Sequence, residues 1–233
     1  MKIGVFSIPD ITPGKHNVKD SRLDQVDRIV KAKKKTYVQV ELIGEDVLPE
    51  ADAILALEDR RADIILTDLE FVESRLGRCE QEQEKALLGK LKEALETEKF
   101  ISSAGLSQEE CQAISGYGLL TAKPVVVAKK EELEDRDKLL ARALKESGYR
   151  SFFTAGEKET RAWLIKNGTT AWEAAGCIHS DIQRGFIRAE IISLSDFLAA
   201  GGETQAKQAG KMRLEQKDYV IQDADLANFR FNK

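Results

Sequence analysis

The sequence predicts an α/β domain interrupted by a helical hairpin and followed by a compact α+β unit. Three observations predict it. Short, continuous apolar runs mark strands covered on both faces. Two leucine-rich seams with heptad-like spacing interrupt those runs. After Tyr149, short β-like runs alternate with two helical stretches, the texture of a small mixed unit.

The runs at residues 3–8, 37–43, 53–57 and 125–128 are the strands of the first domain. Leu23, Val26 and Val30 fall at helical spacing, which predicts a helix over 22–30. Ile65, Leu69, Val72 and Leu76 step by four, three and four residues. Leu88, Leu91 and Leu95 repeat the step, with Leu87 and Ala94 beside them. The polar stretch 77–83 turns the chain between them, so two antiparallel helices bury their seams against each other. Glu70, Arg75, Glu84, Lys85, Lys90 and Lys92 then face water. Ser107 caps a short helix with Glu109 and Glu110 in its first turn. A charged amphipathic helix over 131–147 carries Leu133, Leu139, Leu140 and Leu144 on its apolar side and ends at Gly148. Beyond it, 151–154, 161–165, 187–194, 219–222 and 228–231 read as strands, and Asn167-Gly168 as a turn.

Composition narrows the function. Of 233 residues 42% are hydrophobic and 33% charged, a globular balance with many exposed positions. The net charge of −4 argues against nucleic-acid binding driven by total charge. Residues 152–233 hold equal numbers of basic and acidic side chains, so the excess lies elsewhere. No apolar run approaches the roughly 20 residues of a membrane span, and the first residues are too short for a secretory core. The expected location is the cytoplasm. Cys79, Cys111 and Cys177 are odd in number and widely spaced, which indicates neither a disulfide framework nor a zinc site.

The first strand runs into "SIPDITPGKH", residues 7–16. An apolar strand and a loop ending in Gly14-Lys15 is how a phosphate-binding P-loop begins. The full pattern, G-x-x-x-x-G-K-[ST], wraps phosphates in backbone N–H groups and offers magnesium a hydroxyl. Here its first glycine falls on Ser7 or Asp10, and His16 stands at the hydroxyl position. Neutral imidazole is a poor ligand for a hard cation. Asn17-Val18-Lys19-Asp20 follows in place of a helix whose N-terminus would face phosphate.

The segments "FFTAGEKETRAWLIKNGTTAWEAAGCIHSDIQRGFIRAEII" and "AGKMRLEQKDYVIQDADLANFRFNK" closely resemble the TGS domain that ends YchF-type Obg-like ATPases. Upstream, "VKDSRLDQVDRIVKAKKKT", "ADIILTDLEFVESRL" and "GLLTAKPVVVAKK" resemble the approach to the family's DxxG strand, the first helix of its inserted hairpin and its base-recognition strand. The resemblance implies an α/β fold in three parts. Residues 1–60 and 101–150 form a P-loop NTPase-like domain, 61–100 the inserted hairpin, and 151–233 an α+β TGS domain with a β-grasp fold. The family's Asp-x-x-Gly aligns with Gly44 and Val47, and its base-reading Asn with Lys129 or Lys130.

Against that pattern the nucleotide motifs read as degenerate. The expectation is a pseudo-GTPase: no enzyme, no cofactor, and a binding or regulatory role through the TGS domain. The resemblance implies a ribosomal, RNA or translation-associated partner. The alternative is a protein that binds GTP or ATP with magnesium weakly or hydrolyses it slowly. Gly14 and Lys15 are the remnant that would touch phosphate. Arg161, Trp163, His179, Arg184 and Arg188, with Arg213, are candidates for a partner-facing patch. The competing readings are a core Trp163 and a structural His179 beside Cys177 and Asp181. Asp223 and Asp225 flank Ala224 where the family has glycine in a tight turn, and alanine at positive φ costs about 1 kcal/mol. A shortened α/β core would also expose an apolar sheet face and self-associate.

Overall fold

The computed structural model describes residues 1–9 and 11–232. Asp10, one candidate for the first loop glycine, lies outside the described residues. In chain order the elements are β1 (Lys2–Phe6), β2 (Gly14–Val18), α1 (Ser21–Val30), β3 (Lys35–Thr36), β4 (Val38–Ile43), β5 (Ala53–Leu57), α2 (Arg61–Leu76), α3 (Glu82–Glu96), α4 (Gln108–Ile114), β6 (Val125–Ala128) and α5 (Arg136–Glu146). They continue with β7 (Tyr149–Ala155), β8 (Thr160–Lys166), α6 (Ala171–Ile178), α7 (Ser180–Arg184), β9 (Phe186–Ile192), α8 (Leu194–Ala200), α9 (Glu203–Gln208), β10 (Arg213–Glu215) and β11 (Leu226–Phe231). They form two compact units: Met1–His16 with Val40–Leu139, and Asn17–Gln39 with the chain from Leu140 on.

The first unit is built on a five-stranded sheet in the order β2-β4-β1-β5-β6. β1 runs parallel to both β4 and β5, and β5 parallel to β6. All five residues of β5 are buried, which is why its sequence AILAL is apolar without alternation. Gly4 lets β1 pass close under the turn that follows β4: a Cβ there would meet Leu48 Cδ2 at 2.6 Å. Helices α2 and α3 pack along the two seams, with Ile65, Val72, Leu88, Leu91 and Leu95 buried between them. Ser107 caps α4 in a capping box with Glu110.

The hairpin tip is tied down by Glu84. Its carboxylate accepts from Arg75 Nε and Tyr117 Oη, each at 2.7 Å, and from the Cys79 thiol at 3.2 Å. Tyr117 and Arg75 hold that carboxyl well below the usual range, at about 2.

The second unit carries a six-stranded sheet in the order β10-β9-β11-β7-β8-β3. β7 and β8 form an antiparallel hairpin, and β11 closes the sheet between β7 and β9, parallel to the first and antiparallel to the second. Alternation sorts the side chains. Phe152, Ile165, Ala189, Ile191, Ala227 and Phe229 meet Ala171, Ala174 and Ala175 of α6. Phe153 points the other way, and the Arg22 guanidinium of α1 lies 5.8 Å from its ring centroid.

Residues 17–39, which the sequence reading placed with the first domain, pack with this second unit. β3 adds a parallel strand beside β8. Asp20 caps α1, and Arg22 is held by Asp20 Oδ2 at 2.8 Å and Asp223 Oδ2 at 2.6 Å. Both carboxylates raise the Arg22 pKa, the Asp20 hydrogen bond most. Lys34 and Lys35 pair with Glu159 and Asp24 at 3.0 and 2.6 Å. β2, β3 and β10 were not expected, because only Val18 among their residues is buried. The run 219–222 forms a single bridge, Val220 to Thr170, in place of a strand.

The turn before β11 holds Ala224 at φ +62°. Its N–H donates to Ser151 O at 2.7 Å, while Asp225 accepts from Tyr219 Oη at 2.8 Å and Gln222 N at 2.9 Å. The acidic pair therefore builds a turn. A residue with a Cβ is strained in the left-handed region. Ala224→Gly is expected to raise stability by about 0.5–1 kcal/mol, net of glycine's greater freedom when unfolded. Urea melts of the two proteins check it; an unchanged or lower midpoint would contradict the strain.

Candidate functional site

The strand order reverses about β1, since β4 lies on one side of it and β5 on the other. Ligands of open parallel sheets gather at the carboxyl ends of the strands at such a point. A cleft of about 380 Å³ lies there, lined by Val5, Ser7, Ile8, Pro9, Ile11, Pro13, Gly44, Glu45 and Arg60. Each group has a positional cause. Ser7 follows β1, Gly44 and Glu45 follow β4, and Arg60 closes the 3₁₀ turn after β5. Ser7 sits at φ +52°. Its N–H donates to Glu45 Oε1 at 2.7 Å and its hydroxyl to the same oxygen at 3.2 Å. Arg60 NH1 reaches Asp63 Oδ2 at 3.1 Å and keeps half its side-chain surface exposed.

The turn that presents Glu45, a 3₁₀ segment over Glu45–Glu50, is held from outside. Lys123 Nζ donates to the carbonyls of Leu48 and Ala51 at 3.1 and 2.8 Å, and to that of Pro49. Burial lowers the Lys123 pKa. Asp68, a buried carboxylate on α2, holds the chain just before Lys123. Asp68 accepts from Leu120 N at 3.0 Å, Thr121 N at 2.7 Å and Thr121 Oγ1 at 2.6 Å. Burial raises the Asp68 pKa, and those hydrogen bonds oppose the rise.

Gly14 and Lys15 open β2, both exposed, with Gly14 at φ +137°. They start a strand and do not lead into a helix. His16 Nε2 lies 3.0 Å from Thr12 O. Lys130 pairs with Asp59 at 3.1 Å. The donors with which the cleft can hold a phosphate are Ser7 N–H, Ser7 Oγ and the Arg60 guanidinium. These fit an anionic group wherever Glu45 does not occupy them. The P-loop pattern reads Ser7 only as a position without its glycine and does not single out Glu45 or Arg60. Their one signal is position, as the residues just past two predicted strand ends.

In the second unit the proposed patch divides. His179 and Arg184 line a cleft of about 820 Å³ with Asp181, Ile182, Gly185, Phe231 and Asn232. His179 joins α6 to α7, its Nδ1 accepting from Asp181 N–H at 3.1 Å, and Arg184 ion-pairs with Asp181. Arg161 and Trp163 lie apart from that cleft on β8. There the guanidinium stacks 3.9 Å from the ring centroid, and Trp163 Nε1 donates to Thr154 Oγ1 at 2.9 Å. Arg188 is exposed on β9, in register with Arg230. Arg213 is held by Tyr219 Oη at 3.0 Å. Among the described residues no group of three His, Cys, Asp or Glu side chains can hold a metal ion. No helix among them is long and apolar enough to cross a membrane.

Residues 149–232 match the family model YchF-GTPase_C, described as a protein of unknown function (DUF933). The ribosome-binding ATPase YchF of Bacillus subtilis (strain 168) is 37% identical, with 78% of this chain and 68% of that protein covered. The protein of the same name from Escherichia coli O157:H7 is 57% identical over 82 residues, 35% of this chain and 23% of that one. The solved structure of the Schizosaccharomyces pombe YchF GTPase shares the fold, with a TM-score of 0.77 at 20% identity over 99% of this chain and 97% of that one. The Bacillus match runs over 248 aligned positions, more than the 233 residues of this chain, so that relative has internal segments without a counterpart here.

These findings correct three expectations. A pseudo-GTPase and a non-enzyme are overturned by likeness across most of the chain to proteins named ATPases. The physical reason is that a phosphate is held largely by backbone N–H groups, which a count of motif side chains does not see. The reading of the nucleotide motifs as degenerate falls with them, and for residues 149–232 the match is to YchF-GTPase_C and not specifically to a TGS domain.

The buried anchor behind the cleft gives a direct test. Asp68→Ala strands the N–H groups of Leu120 and Thr121, each costing about 1–3 kcal/mol when buried and unpaired. The expected loss is about 2–4 kcal/mol in a urea titration, and a loss under about 0.5 kcal/mol would show that these groups find other partners.

Proposed function

The chain belongs to the YchF family, and on that premise we propose that it is a ribosome-associated protein that binds ATP or GTP weakly, with slow hydrolysis. The observation that carries this reading is the cleft at the carboxyl ends of β1, β4 and β5, at the switch point of the sheet. Its volume of about 380 Å³ lies near the lower end for small-molecule sites. Ser7 N–H, Ser7 Oγ and Arg60 receive the phosphates. Gly14 and Lys15 supply a further exposed cation from β2. Magnesium bound with the nucleotide neutralises phosphate charge. Phosphoryl transfer rests on positioning and charge stabilisation, and few donors mean a slow step.

Partner binding falls to the second unit. Its hairpin, helix pair and central closing strand β11 support a β-grasp reading. The stacked Arg161–Trp163 pair and the exposed Arg184, Arg188 and His179 are the groups offered to a ribosomal surface, with the cytoplasm as the compartment. Arginine over an aromatic ring suits contact with phosphate and base.

Two measurements test the proposal. A fluorescent ATP or GTP analogue should titrate with a Kd of about 100 μM or tighter, near −5.5 kcal/mol; no binding at millimolar nucleotide overturns the nucleotide half. The protein should co-sediment with ribosomal particles at low salt, and R161A/R184A/R188A should weaken this at least about tenfold, the effect of losing several phosphate contacts. Full retention by that variant overturns the assignment of the patch.

A further inference from the structure

The Ser7 donors already hold an anion. One oxygen of Glu45 takes both the N–H and the hydroxyl, at 2.7 and 3.2 Å. A carboxylate oxygen and a phosphate oxygen make the same charge-assisted contact with a backbone N–H. Two anions cannot share one donor without strong repulsion at contact distance. Ser7 is also one of four non-glycine residues at positive φ among the described residues, a conformation that persists only where the surroundings impose it.

Glu45 is presented by a fixed turn. The Lys123 ammonium is bonded to the carbonyls of Leu48, Pro49 and Ala51. Leu48 is buried under Gly4 of β1. The backbone of the turn therefore stays in place, and only the Glu45 side chain is left to move.

We propose that Glu45 is an internal competitor for phosphate: its carboxylate occupies the Ser7 donors in the free protein and must swing off them before an anionic ligand enters. Glu45 thereby sets the affinity of the cleft for nucleoside polyphosphates. This inference rests on the reading of the cleft as the nucleotide site. Removing the charge relieves repulsion and removes the competitor, while the positions of the donors stay as they are.

The test compares wild type, Glu45→Gln, Glu45→Ala and Glu50→Gln by titration with the fluorescent nucleotide and, separately, with inorganic pyrophosphate. Circular dichroism and thermal melts check that each is folded. Glu50→Gln removes an equal charge from the same turn and controls for general electrostatics. Both Glu45 variants are expected to bind nucleotide and pyrophosphate at least about tenfold more tightly than wild type, with Glu50→Gln near wild type. If wild type binds and the Glu45 variants bind no better, the competitor is refuted and the nucleotide site stands. An equal gain in Glu50→Gln also refutes it, in favour of diffuse charge. If no protein binds either ligand at millimolar concentration, both the site and the competitor fall. Glutamine keeps an acceptor for Ser7, so a folding defect confined to the alanine variant leaves the comparison intact.

Discussion

A backbone N–H or C=O just outside a parallel strand has no ladder to join, and a buried polar group without a partner is costly. That constraint governs the first unit. The chain leaves β1 and β4 and approaches β6 through irregular connections, so side chains supply the missing partners. Asp68 takes the N–H groups of Leu120 and Thr121, Lys123 serves three carbonyls of the turn after β4, and Glu45 takes the Ser7 amide. The three contacts form a chain of support running from α2 through the approach to β6 into the turn at β4 and on to β1. The cleft is the place where the last link is a solvent-accessible carboxylate in place of a buried one. On the proposed reading structure and function meet at that link, because the donor that takes this carboxylate would take an anion from outside.

The second unit solves a different problem with similar means. Its sheet is closed by β11, which must enter between β7 and β9 through a turn that places Ala224 in the left-handed region. Asp223 and Asp225 hold the turn on either side through Arg22, Tyr219 and Gln222. Burial first, and then Asp225, push the Tyr219 pKa up to about 12, so the phenol remains a donor to Asp225 at every ordinary pH. The Asp223 link also brings α1 onto the sheet. One acidic turn thus fixes both the closing strand and the segment 17–39.

Elements with a buried face were legible in the sequence. β1, β5 and β6 show as continuous apolar runs, β4 as an alternation of Val38, Val40 and Leu42 with exposed Gln39 and Glu41, α2 and α3 as leucine seams, and α4 through its cap. The strands β2, β3 and β10 were not legible, because sheet edges carry polar residues and their pairing is set by neighbours far along the chain. Residues 17–39 packing with the second unit were hidden for the same reason: the Arg22–Asp223 pair spans most of the sequence. The candidate site was half legible. Ser7-to-Lys15 drew notice as a loop after a strand, yet Glu45 and Arg60 carry no motif and gain meaning only where strand ends converge. Weighing the loop by its side chains led to the mistaken pseudo-GTPase, since backbone donors leave no trace in residue identity.

The contact between Glu45 and the Ser7 amide can be observed without any ligand variant. Site-resolved amide hydrogen exchange of the free protein by NMR, at Ser7, Leu120 and Thr121, measures the three donors together. The account predicts slow exchange at all three and, on saturation with pyrophosphate, a shifted but still protected Ser7 amide. A Ser7 amide that exchanges at the rate of an open loop, while Leu120 and Thr121 remain protected, would contradict it.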